Sequence, residues 1–102
     1  MKRQILNSAN YTVFVIAVVD DFGRDVGYVF RYQQGGYYHP GAVIKVSTDI
    51  HDAKTYGSEV AAKRAAAQYK NYSEVYVYDG DEMPLEKIPA KSYHTHLEVV
   101  IL

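Results

Sequence analysis

"EVAAKRAAAQYKNYSEVYVY", residues 59–78, carries two periodicities end to end, and the change from one to the other decides the fold class. In its first half Ala61, Ala62, Ala65, Ala66 and Tyr69 recur at three- and four-residue spacing, while Lys63, Arg64 and Lys70 point the other way. That spacing predicts a helix with an alanine face able to lie close on a sheet. In its second half Val75 and Val77 oppose Glu74, Tyr76 and Tyr78, which predicts a strand over 74–78. Upstream, Gly57-Ser58 offers an N-cap for the helix, and Asp49 is placed to cap a shorter helical turn through Asp52 to Tyr56.

The rest of the chain supplies the sheet. From about residue 11 to 19, Val13, Val15, Ala17 and Val19 alternate with Phe14, Ile16 and Val18, so both faces are apolar and a central strand is expected. Asp20 to Asp25 carries turn residues, with Gly23 available for a positive φ, and leads to a second strand near 26–33. A Gly- and Pro-containing loop from Gln34 to Gly41 precedes a short third strand at Ala42–Val46. The stretch from Asp79 to Ser92, with Pro84 and Pro89, is expected to be irregular. In the closing segment Tyr93, Thr95, Leu97, Val99 and Ile101 form one face and His94, His96, Glu98, Val100 and Leu102 the other. The expected architecture is therefore a single α+β domain: an antiparallel sheet of four to five strands with one main helix on one face, in the order β-β-β-α-β-β. One helix leaves the second apolar face of the first strand uncovered, so a homodimer is expected to bury it, with a partner protein or the 79–92 loop as alternatives.

Composition narrows the function. At 102 residues, 48% hydrophobic and 23% charged, the chain has the make-up of one globular unit. A formal charge of −1 supplies no field to gather a polyanion, and it is too small for a nucleic-acid mimic. There is no cysteine, which excludes disulfides, thiolate metal sites and a cysteine nucleophile. Lys2 and Arg3 precede the apolar run Tyr11–Val19 in the manner of a signal peptide. Asn7 to Asn10 separates charge from run, however, and Asp20-Asp21 follows without a small-residue cleavage site, so the run reads as a strand, too short to span a bilayer, and no membrane association is expected.

Eleven tyrosines against three phenylalanines and no tryptophan point to contact surfaces, where one end of the ring stays wet. Tyr28, Phe30 and Tyr32 share a face of the second strand by alternation, as do Tyr76 and Tyr78 on the fourth. Tyr28, Tyr32, Tyr76 and Tyr78, with Tyr37 and Tyr38 in the glycine-rich loop, are the expected protein-contact residues. The alternative is single-stranded nucleic-acid binding, with those rings stacking on bases near Arg31, Lys45, Lys63, Arg64 and Lys70. A third reading places a metal on His94 and His96, two apart on one strand, with His39, His51 or Glu98 as further ligand. Asp79 to Glu82 lacks the spaced ligands of a calcium loop, and neither the phosphate-loop patterns nor G-x-S-x-G occur. No catalytic residues and no cofactor are expected.

The segment from 42 to 78 resembles uncharacterised small accessory proteins of phages and prophages of Gram-positive bacteria. Their pattern A-x-x-[YF]-x(3-5)-A-x-x-A before a short strand is matched by Ala53, Tyr56, Ala62 and Ala65 or Ala66. The resemblance implies a cytoplasmic accessory role and brings no catalytic residues with it.

Overall fold

The computed structural model describes residues 12–37, 41–69, 71–90 and 94–102. Six strands, β1 (Phe14–Val19), β2 (Asp25–Gln33), β3 (Ala42–Ser47), β4 (Tyr72–Tyr78), β5 (Glu86–Pro89) and β6 (His96–Ile101), form one sheet in the order β5-β4-β3-β2-β1-β6. One helix, α1 (Glu59–Tyr69), lies between β3 and β4 in the chain. The α+β class is as expected, but the sheet is mixed, because β3 and β4 run parallel. A helix between two neighbouring strands returns the chain to the end from which it started, which makes the second strand parallel to the first. The added strand is β5, inside the stretch expected to be irregular.

Local chemistry sets these elements. Ser58 Oγ accepts the N–H of Ala61 at 3.1 Å and so caps α1, and Glu59 pairs with Lys63 one turn on at 3.3 Å. Asp49 caps only a 3-10 turn, Ile50–Asp52, through the N–H of His51, and the chain is extended again at Ala53. The expected helical turn to Tyr56 does not form. Lys54 donates instead to the carbonyl of Val29, and Tyr56 exchanges two backbone hydrogen bonds with Phe14. This segment therefore sits where β1 and β2 part company.

One face of the sheet holds the core: Ile16, Val18, Val29, Ile44, Val46, Val75, Val77 and Ile88, with Ala65 of α1 and Tyr72 packed among them. Ala62 and Ala65 are buried while Lys63 and Arg64 are exposed, so the alanine face of α1 meets the sheet as its spacing predicts. The sheet coils around this core. Tyr72 at the start of β4 shares a 2.8 Å hydrogen bond with Thr95, just before β6, and Glu86 and Ile88 of β5 line one cavity with Asp20, Arg24 and Asp25. Val15, Ala17 and Val19 on the other side of β1 are also almost fully buried. That side of β1, which a homodimer was expected to bury, has almost no exposed surface in the single chain.

Asp20 closes the β1–β2 turn. Its carboxylate accepts from the N–H of Phe22 at 2.9 Å, the N–H of Arg24 at 3.0 Å and Nε of Arg24 at 3.0 Å, and Gly23 takes φ 78°. The Arg24 backbone hydrogen bond first, then the Arg24 side chain and the Phe22 N–H, hold the carboxyl below its usual 3.8, against the opposing effect of burial. A carboxyl lowered in the folded state adds stability above its unfolded pKa, and that stability disappears as pH falls through the folded value. Thermal midpoints should accordingly fall more steeply below about pH 4 in the wild type than in Asp20→Asn. Parallel midpoint curves for the two proteins would show that this turn contributes nothing to acid stability.

Candidate functional site

The opposite side of β2–β5 gathers aromatic and basic side chains. The pairing sets Tyr28 beside Ser47 and Ser47 beside Tyr78, then Arg31 beside Lys45, Lys45 beside Tyr76 and Tyr76 beside Lys87. Residues opposite one another in a ladder share a face, so four strands contribute to one surface. Phe30 joins it, its ring edge-on to Tyr78 with centroids 5.3 Å apart. Lys87 Nζ stands 4.9 Å above the Tyr76 ring and Lys45 Nζ 5.9 Å above that of Tyr78. The Tyr28 hydroxyl donates to Asp25 at 2.8 Å, a bond that, with some burial, raises its pKa.

Two concavities flank these rings. A groove of about 370 Å³ is lined by Gln33, Gln34, Tyr37, Val43, Lys45 and Tyr76 among others. A second, about 230 Å³, lies between Phe30, Tyr78, Asp52 and Asp81. Ser47 Oγ donates to Asp52 at 3.0 Å, which fixes that carboxylate at the second hollow. The face thus carries carboxylates at the second hollow, rings at its centre, and Lys45 and Lys87 beside Tyr76, with Glu74 on the same face next along β4.

Tyrosines expected to act together are split by irregularities in the pairing. A register shift between Val29 and Arg31 sets Tyr32 opposite Ile44, and there its ring stacks on Tyr69 at 4.6 Å within the core. Tyr32 therefore does not share the face of Tyr28 and Phe30, because the extra residue of a bulge reverses the alternation. Tyr56 and Tyr72 also pack with the core. Burial and a shared hydrogen bond with Tyr69 push the Tyr56 phenol well above its usual pKa, and burial raises that of Tyr72. Part of the tyrosine excess is thus core material. Tyr28, Tyr76 and Tyr78 are brought together, Tyr37 is 92% exposed at the rim of the groove, and Tyr38 lies outside the described residues, as do Tyr93 and His39. Lys87 was missed by sequence reading, whose only available signal was the alternation of Leu85 and Lys87 with Glu86 and Ile88.

His94 and His96 do not share a strand face. β6 begins at His96, while His94 precedes it with φ 49°. His96 Nε2 lies 2.6 Å from Glu98 Oε2, a local pair on an exposed surface. Among the described residues no three His, Asp or Glu side chains are grouped so as to hold a metal ion, and no helix is long and apolar enough to cross a membrane.

No protein-family model, curated protein or solved structure matches this chain. The functional reading rests on its own surfaces.

Proposed function

We propose that this domain works by contact and without catalysis: the outer face of β2–β5 docks a partner protein that presents carboxylates beside apolar side chains. The observation that carries this reading is the placement of Lys87 over Tyr76 and Lys45 over Tyr78. The ring quadrupole favours both ammonium positions, more for Lys87 at 4.9 Å than for Lys45 at 5.9 Å. Partner carboxylates then meet these cations beside the rings, and partner apolar groups cover Phe30 and the ring edges, an arrangement common at protein interface centres. A formal charge of −1, with Asp52, Asp81 and Glu74 at the same face, opposes the gathering of a polyanion there. That argument ranks single-stranded nucleic acid second.

Peptide-display selection against the immobilised protein tests the choice. Enriched peptides should combine Glu or Asp with apolar residues, and Tyr76→Ala should weaken them by about thirtyfold, the effect of losing a buried interface tyrosine, while Lys87→Glu weakens them comparably. Binders indifferent to both substitutions would remove the reading. Salt-sensitive retention of an oligothymidine that disappears in Tyr76→Ala would replace it with the nucleic-acid one.

A further inference from the structure

The two edges of the sheet differ in a way that points to a second surface. β5 is a short edge that ends in Pro89 and carries Glu86 and Lys87, the devices that keep an edge from pairing. β6 has less of this protection, its one charged residue being Glu98. Its ladder with β1 runs from Phe14 opposite Ile101 to Val19 opposite His96 without a register shift, and its sequence HLEVVI holds neither proline nor lysine. Leu102 N–H donates to Val13 O at 3.0 Å, so by alternation Leu97, Val99 and Ile101 turn their backbone N–H and C=O away from β1. Among the described residues no hydrogen bond reaches these outward groups. Ile101 is 67% exposed.

We propose that β6 pairs edge to edge, antiparallel, with β6 of a second copy about a twofold axis through Val99. Centring on Val99 makes it a hydrogen-bonded pair with its own copy and sets Leu97 opposite the partner's Ile101, so the core-side apolar stripe continues across the junction. On the other face Glu98 meets the partner's Val100. Centring one residue earlier sets Glu98 against Glu98 of the partner subunit, a like-charge contact that disfavours that register. Centring on Leu97 or Val100 avoids that contact but pairs only three residues of β6 instead of five, so Val99 is the centre that combines a long pairing with no like-charge contact. The occupant is therefore a second copy of this chain, twelve strands forming one continuous sheet.

Light scattering over a dilution series at low salt tests it with four proteins. Wild type should be a dimer, and Ile101→Lys, at an exposed site, should be a folded monomer by circular dichroism. Val100→Lys and Val100→Glu share whatever cost the site imposes on folding, but they place opposite charges beside the partner's Glu98, twice per dimer. Val100→Glu should dissociate at a concentration about tenfold above Val100→Lys. A wild type monomeric to its highest soluble concentration, an unchanged mass for Ile101→Lys, or equal dissociation of the two Val100 variants would each overturn the proposal. None of these outcomes depends on the aromatic face, which display selection tests separately.

Discussion

Ile44→Ala should remove about 2–5 kcal/mol of stability, the range for truncating a fully buried aliphatic side chain where neighbours close in only partly. Ile44 has no exposed surface, and it stands in β3 between Tyr32 of β2 and Val75 of β4, at the middle of the core. The strands on both sides are held by their own ladders, so little collapse into the vacated volume is available. Against the 5–15 kcal/mol typical of a small domain the loss is large. Urea unfolding should show a lower midpoint at an unchanged slope. A loss under about 1 kcal/mol would mean that the core repacks freely and that the sheet is less rigid than its pairing implies.

Gly27→Val should be comparably severe, although valine is the better strand former and glycine in a strand is ordinarily a weakness. The reason is space. A Cβ at Gly27 would lie 2.5 Å from Val46 Cγ2, 2.9 Å from Val46 Cβ and 3.0 Å from the carbonyl oxygen of Ser47. The last belongs to the backbone of the adjoining strand, so relief requires β2 and β3 to separate. Overpacking of this kind costs about 1–3 kcal/mol, with more expected for a branched side chain. Gly57→Ala is the matched control, since nothing lies within 4 Å of a Cβ there, and it should stay within about 1 kcal/mol of wild type. Equal midpoints for Gly27→Val and wild type would show that the close approach of the strands is not a constraint.

How much of this was legible in the sequence follows from which signals are local. The helix Glu59–Tyr69 and the Val75/Val77 strand are read directly, because periodicity and capping belong to the segment itself. β5 was hidden because a strand paired on one side only needs little hydrophobic pattern: Ile88 is its single buried residue, and Pro89 is acceptable at an edge. The parallel pairing of β3 and β4 was available from strand–helix–strand order but not from any residue. For the candidate site, Tyr76 and Tyr78 follow from alternation, whereas the exclusion of Tyr32 depends on a bulge, and a single inserted residue leaves no mark in composition. Lys87 was out of reach once β5 was.

The neighbour relation of β1 and β6 has a consequence for synthesis. Val15 pairs with Val100 across almost the whole chain, and at cellular translation rates of about 5–20 residues per second the interval between them is on the order of ten seconds. The most buried of the described strands is thus translated well before β6, and it gains its second neighbour only when β6 follows. Until then the nascent chain carries β1 with one side unpaired, a period in which a ribosome-associated chaperone, or the hairpin with β2, must shelter it.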